Sequence, residues 1–259
     1  MRRVVFVDLD DTLFQTARKD PNAHTVAAVD GEGRPLSFQS DRQSAVLDWL
    51  ADGATVIPVT GRSVQAFRRV VLPLGEWAIC SFGGVILDPD GAPNPAWHQR
   101  MTPAAAATAS TLETLHDTVR ILAADLGIDV RYRIIQDAGL PLYLSVKHNA
   151  NNDPETARLA EALAPRLSAG WTVHRNSANM ALLPPFLGKA HAVTFLLDEL
   201  RASGADARPL LTIGVGDSLT DLGYMALCDY AVIPQRAQIA DLFAPWVRPA
   251  LSSGAEDAA

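Results

Sequence analysis

Lysine, cysteine and long apolar runs are all scarce in this chain, and each scarcity excludes something. No stretch approaches the roughly 20 consecutive apolar residues that span a bilayer, so no membrane segment is expected. A hydrophobic content of 48% with 20% charged residues is that of an ordinary soluble globular protein. The start MRRVVFV places two arginines before an apolar run, as a signal peptide does, but Asp8, Asp10 and Asp11 interrupt it too early, and it reads instead as a core strand. Cys80 and Cys228 are the only two cysteines, far apart and each among apolar neighbours, which predicts buried thiols in a reducing cytoplasm rather than a disulfide. No basic cluster exceeds Arg68-Arg69, and a net charge of −7 argues against a nucleic-acid face. A small anionic ligand would need locally placed positive charge, which directs attention to the three lysines, Lys19, Lys147 and Lys189.

At 259 residues the chain is long enough for a core with an inserted second unit, and its rhythm divides accordingly. Residues 4–9, VVFVDL, form a short continuous apolar run, the pattern of a strand covered on both faces. After a polar stretch, SDRQSAVLDWLADG predicts a capped helix from Ser40 to Gly53, ATVIPVT a second buried strand ending at Thr60, VQAFRRVV a helix capped by Ser63, and WAICS a third strand. Alternating strands and helices imply a parallel sheet covered on both faces. GGVILDPDGAPN then reads as a hairpin. A long alanine-rich helix is expected from Thr102-Pro103 to Gly127, followed by strands DVRYRIIQ and LYLSVKH, a helix from Asp153-Pro154 to about Ser168, and strands WTVHRN and NMALLP. That order predicts an antiparallel sheet with helices on one side. After Pro184-Pro185 the first rhythm returns, through helix GKAHAVTFLLDELRASG, strand PLLTIGVG, helix LTDLGYMALC, strand YAVIP and a last helix near 236–243. The expected architecture is an α/β, Rossmann-like parallel-sheet core, residues 1–84 and 185–248, interrupted by an α+β insert, 85–184, with a disordered tail at 249–259. No internal repeat is present.

In open parallel sheets ligands collect outside the carboxyl ends of the strands. Four polar clusters fall at such places: Asp8-Leu9-Asp10-Asp11-Thr12, Thr60-Gly61-Arg62, Gly188-Lys189 and Gly216-Asp217-Ser218-Leu219-Thr220-Asp221. Carboxylates gathered on one edge need a cation, and all-oxygen ligands suit a hard ion such as Mg²⁺. With that charge and Lys189 present, a phosphate dianion can approach a carboxylate nucleophile, and Asp10, two positions on, can serve as general acid and base.

These residues resemble the haloacid dehalogenase superfamily of phosphohydrolases, whose four motifs match DLDDT, VTGR, GK and GDSLTD in the family's order. The insert is similar to a C2-type cap, and the branch most resembled is the one that includes sucrose-phosphate and mannosyl-phosphoglycerate phosphatases and Cof-like enzymes. The resemblance implies Asp8 as nucleophile and Mg²⁺ ligand, Asp10 as general acid/base with its carbonyl on the metal, and Thr60 and Lys189 on the phosphoryl group. It further implies Asp217 as a metal ligand and Asp221 as support for the metal waters or Lys189. Phe82-Gly83-Gly84 departs from the Asn-Gly-Ala of many relatives. Asp11 has no role required by this pattern and reads as a solvated or capping residue.

Around the core set, Gly61 and Arg62 are candidates for substrate contact. In the insert, Arg131, Arg133, Lys147, His148, Asn149, Asn176 and Asn179 lie on or beside strands and together resemble a polyol-binding surface. His148 and His174 lack the spacing of a zinc site. The expected activity is Mg²⁺-dependent hydrolysis of a small phosphorylated metabolite, a sugar or polyol phosphate, by an aspartyl-phosphate route in a cytoplasmic enzyme. No nucleic-acid or membrane partner is expected, and no oligomeric state is assigned. A phosphomutase or phosphotransferase of the same superfamily, or a non-enzymatic phosphoacceptor module, stands as the alternative.

Overall fold

The computed structural model describes residues 1–75, 77–202, 209–235 and 237–243. The expected tail, 249–259, lies outside them. Strand β1 (Arg2–Val7) is the apolar run read from sequence, and its last four residues are buried. The polar stretch after it contains a feature that hydropathy did not reveal, a hairpin of β2 (Thr25–Val29) and β3 (Pro35–Gln39). Helix α1 (Asp41–Ala51) starts from Ser40 in a reciprocal capping box with Gln43, satisfying two backbone donors at the helix start. Strand β4 (Thr55–Pro58) and the single-turn helix α2 (Val64–Phe67), capped by Ser63, follow. Strands β5 (Ala78–Cys80) and β6 (Val85–Leu87) pair antiparallel, so the third expected strand of the parallel sheet is only bridged to it, through Val59 and Ile79.

Helix α3 (Pro95–Leu126) begins well before the expected Thr102 and runs through Pro103. Asn94-Pro95 supplies the same start signal eight residues earlier: the Asn94 side chain accepts from the Trp97 amide, and proline at the first turn gives up a donor that has no helical partner there. The early turns also have somewhere to pack. Trp97, Met101 and Ala105 bury in the cluster shared with β5 and β6, whereas Leu112, Leu115 and Val119 belong to the cluster under the antiparallel sheet. Gly127 ends the helix in the left-handed region.

Strands β7 (Val130–Asp137) and β8 (Leu140–His148) form a hairpin about Ala138-Gly139, both at positive φ as a tight hairpin turn requires. Helix α4 (Asp153–Leu163) and the strands β9 (Thr172–Asn176) and β10 (Asn179–Leu183) complete an antiparallel sheet of order β7-β8-β10-β9. Helices α3 and α4 bury Leu144, Val146, Met180 and Leu182 on one of its faces. Helix α5 (Lys189–Ala202), strand β11 (Leu210–Val215), the short helix α6 (Leu222–Met225) and strand β12 (Tyr230–Val232) return the chain to the first sheet, whose order is β12-β11-β1-β4, all parallel. Residues 238–243 are helical. Cys80 and Cys228 are both unpaired thiols. Among the described residues no helix is long and apolar enough to cross a membrane.

The uncovered face of the antiparallel sheet rests on the carboxyl edge of the parallel one. Asp137, at the end of β7, accepts from the Val64 amide at 2.7 Å and from the Ser81 hydroxyl at 2.6 Å, so a residue of the hairpin caps a helix of the other sheet. Tyr143 donates to the Gly61 carbonyl at 3.0 Å. The two crossings between the sheets also touch: a side chain on Gly83, at φ 94°, would sit 2.4 Å from the Gly188 carbonyl. Only glycine fits there. Asp137→Ala strands both donors at a packed junction, and denaturant unfolding should register a loss of about 1–3 kcal/mol. A loss below about 0.5 kcal/mol would mean that water replaces the carboxylate there.

Candidate active site

Three chain segments deliver the buried polar groups. Asp8 follows the last residue of β1, and Thr12 lies in the turn after it. Lys189 opens α5, and Asp217 and Asp221 lie in the loop between β11 and α6. The Lys189 ammonium donates to Asp8 Oδ1 at 2.6 Å and to Asp221 Oδ1 at 2.7 Å, with all three side chains buried. The Thr12 hydroxyl lies 3.3 Å from both Asp8 Oδ2 and Asp217 Oδ1. The other oxygen of Asp221 accepts from the Asp217 and Ser218 amides and the Ser218 hydroxyl, which fixes the loop that carries Asp217.

Three carboxylates face one ammonium, and the electrostatics reflect the deficit. Burial, opposed by Lys189 but aided by Asp221 and Asp217, raises the pKa of Asp8 well above the ordinary carboxylate range. Burial and then Asp221 push Asp217 up to about 7. For Lys189 burial works against the charge, but Asp221 and Asp8 outweigh it and hold the ammonium protonated. Carboxyl oxygens of Asp8, Asp217 and Asp221 lie within 4.8 Å of one another. Such an all-oxygen set, short of positive charge, fits a hard divalent cation.

Asp10 is placed differently. Its carboxylate is turned to Arg62, which donates from Nε and Nη2 at 2.7 Å each, a bidentate pair. Burial disfavours the Arg62 charge, yet the bonds and charge of Asp10, with Asp8 beyond, raise its pKa. Thr60 is buried, and its oxygen accepts from the Arg62 amide at 3.1 Å, which leaves its hydroxyl proton unspent. Gly61 is a point of close approach, since a side chain there would meet the Phe82 ring at 2.5 Å.

The residues of the antiparallel sheet sort by strand alternation. Arg131, Arg133, Ser145, Lys147, Asn179, His174 and Asn176 share the face of Tyr143, turned to the parallel sheet. His148 is on the opposite face, buried, with Nε2 2.5 Å from Glu155 on α4. Asn149 lies past the strand end, between Arg131 and Asp129. The structure thus brings Lys147, Asn176 and Asn179 to the cleft, leaves His148 on the far face, and sets Asn149 past the strand end against Arg131.

Several residues passed over in the sequence lie at the cleft. His174 stacks edge-on to Phe82, with ring centroids 5.4 Å apart, and burial followed by the Lys189 charge pushes its pKa down to about 4, so it stands neutral beside the cluster. Phe82 fills the space between Gly61, Tyr143 and His174. Asp11, at φ 66°, bridges the sheets: it accepts from Asn176 Nδ2 at 2.8 Å and from Lys19 Nζ at 2.5 Å. It is neither simply solvated nor a helix cap. A groove of about 1250 Å³ opens beside this bridge, bordered by Thr12, Asn176, Asp217 and Ser218, and stops short of Asp8 and Lys189.

No protein-family model and no curated protein matches the chain. Solved structures do. A sucrose-phosphatase from Synechocystis, solved with sucrose and phosphate, aligns over 95% of this chain and 89% of its own at 19% identity and a TM-score of 0.52. The C-terminal domain of trehalose-6-phosphate phosphatase from C. albicans aligns over 86% and 72%, at 16% identity and a TM-score of 0.54. A haloacid dehalogenase-like hydrolase from Bacteroides thetaiotaomicron aligns over 90% and 94%, at 13% identity and a TM-score of 0.49. The feature shared with the first two is the fold alone, a parallel-sheet core carrying an antiparallel insert.

Two substitutions separate the buried cluster from the bridge over it. Asp221→Ala leaves Lys189 with one carboxylate and the loop donors unpaired, and should cost about 3–5 kcal/mol by denaturant unfolding. Asp11→Ala breaks a partly exposed contact, so stability should change by no more than about 1 kcal/mol. Its signature should instead be a broader distance distribution between spin labels on α1 and α4, and a distribution matching the wild type would show that the bridge does not hold the two sheets together.

Proposed function

We propose that the protein is a Mg²⁺-dependent phosphatase that hydrolyses a small phosphorylated metabolite, a sugar or polyol phosphate, through an aspartyl-phosphate on Asp8. The observation that carries this reading is a buried lysine clamped between two buried carboxylates, with Asp217 beside them, at the carboxyl edge of a parallel sheet. The named substrates of two proteins of like fold, a sucrose-phosphatase and a trehalose-6-phosphate phosphatase, support the substrate class.

Asp8, the Asp10 carbonyl and Asp217 would hold Mg²⁺, with Asp221 behind them. The ion would supply positive charge for the phosphoryl oxygens and lower the proton affinity of Asp8 and Asp217. An Asp8 oxygen attacks phosphorus, the bond from phosphorus to the ester oxygen breaks, and Asp10 gives that oxygen a proton. Water then attacks the acyl phosphate, Asp10 takes its proton, and phosphate leaves with Asp8 restored. Lys189 has three donors and uses two on Asp8 and Asp221, so the third remains for a phosphoryl oxygen. The unspent Thr60 proton serves the same group. Asp10 must first part from Arg62, which couples proton transfer to the arrival of a substrate that competes for the guanidinium.

Inorganic phosphate release from a panel of sugar and polyol phosphates tests the reaction. Asp8→Asn should abolish it, with a drop of about 10⁴-fold or more for loss of the nucleophile; release that survives in this variant removes the covalent route. Isomerised sugar phosphate without free phosphate would point to a mutase.

The cation can be tested apart from turnover. Without it the folded protein keeps a proton on Asp217 up to about pH 7, whereas the unfolded chain loses it near the ordinary 3.8. That term therefore weakens the fold as pH rises between these values and is constant above. A bound cation removes the need for the proton. The rise in Tm on adding Mg²⁺ to chelator-treated protein should be larger at pH 8 than at pH 5, and Asp217→Asn should erase the difference. Equal shifts at both pH values would place the ion elsewhere.

A further inference from the structure

Arg131, Arg133 and Lys147 form a cluster of positive charge that the hydrolytic scheme does not use. Arg131 and Lys147 are direct partners across β7 and β8, and Arg133, two residues along β7, lies on the same face. Like charges placed opposite one another on paired strands disfavour the pairing. Four other cations around the site are matched: Lys19 with Asp11, Arg62 with Asp10, Arg175 with Asp153, Lys189 with Asp8 and Asp221. Among the described residues Arg133 and Lys147 have no hydrogen-bond or carboxylate partner, and Arg131 has only the Asn149 amide oxygen, at 3.0 Å.

The cluster is not an outward surface. Its face also carries Tyr143, bonded to the Gly61 carbonyl, and His174, packed on Phe82, so it looks across the cleft toward Asp10 and Arg62. Lys147 feels this company: burial lowers its pKa, and Arg131, Arg133 and Arg62 lower it further, with Asp10 the one opposing charge. Its side chain nonetheless keeps open surface, as do both arginines. Three cations side by side, facing the acid that would protonate a leaving group, are complementary to an anion on that leaving group.

We infer, on the phosphatase reading above, that the preferred substrate carries a second anionic group, a carboxylate or another phosphate, on the part that leaves, and that Arg131, Arg133 and Lys147 hold it. The scissile phosphate is served by Lys189, Thr60 and the acidic cluster, so the two anions occupy different groups of residues. A neutral disaccharide phosphate would leave this cluster without a partner.

Matched pairs test the inference: phosphogluconate against glucose phosphate, phosphoglycerate against glycerol phosphate, and fructose bisphosphate against fructose monophosphate. Two to three charge-assisted bonds should favour the doubly anionic member by about tenfold or more in kcat/KM. The pair with the larger ratio tells carboxylate from phosphate. In the triple variant Arg131→Gln, Arg133→Gln, Lys147→Met the ratio should fall toward one. A ratio near one in the wild type, or one that the triple variant leaves unchanged, overturns the inference. Calorimetric binding of the same pairs to Asp8→Asn protein keeps the two readings apart. A tenfold preference there, with no turnover of any pair by the wild type, would retain the anion site while removing the phosphatase. Equal binding of both members would remove the anion site even if turnover is brisk.

Discussion

The Lys189 ammonium is the group on which the rest of the structure turns. It ties together three places in the chain, Asp8 after the first strand, the start of α5 and Asp221 beside α6, and does so without exposed surface. Each of these ions loses several kcal/mol of hydration on burial, and only their mutual geometry returns it. The arrangement is therefore all or nothing. Take away one partner and the others are stranded charges; supply a divalent cation and the carboxylates that exceed the single lysine gain a counter-charge. An edge of this kind is poor packing but strong chemistry, because its unmet negative charge is directed at whatever cation arrives.

The second sheet acts on that edge from above. Its docking is polar on two sides, through Asp137 and Tyr143 near Gly61 and through Asn176 at Asp11, with the Phe82 ring between. An apolar seam runs alongside: Ile135, Leu140, Leu142, Ala181 and Leu183 of the cover share one buried cluster with Phe6, Ile57 and Val59 of the core. A cover seated in this way is firmly held, and the glycines at one crossing mark close packing: side chains on Gly83 and Gly84 would meet the Gly188 carbonyl and Leu142. The same cover carries the cations that face Asp10. Its position thus does two things at once: it covers the acidic cluster and turns positive charge toward Asp10.

Much of this was legible in the sequence because it is local. An apolar run ending in carboxylates, Ser40 three residues before Gln43, and Ala138-Gly139 between alternating segments each declare themselves within a few positions. Asn94-Pro95 carried the same start signal as Thr102-Pro103, and only the buried partner of Trp97 decides between them. The β2–β3 hairpin escaped because its strands are short and half exposed, with Ala27, Ala28, Ser37 and Gln39 at the buried positions. Alternation required Lys147 and His148 to face opposite ways, but which way faced the cleft depended on where α3 and α4 packed. Asp11 and Asp137 were beyond reach for another reason: their partners, Asn176 and Val64, are set by how two sheets meet, and no neighbour in sequence reports that.

Strand order also governs the life of the chain before it is complete. β1 lies between β4, which follows within about fifty residues, and β11, which begins at Leu210. As the polypeptide leaves the ribosome, one edge of an apolar strand can pair early while the other stays open until Leu210 and the residues after it have been made. The antiparallel sheet, by contrast, is encoded without interruption and finds all its partners nearby. The covering sheet can complete its pairing while the sheet it will cover still waits with one unpaired, association-prone edge.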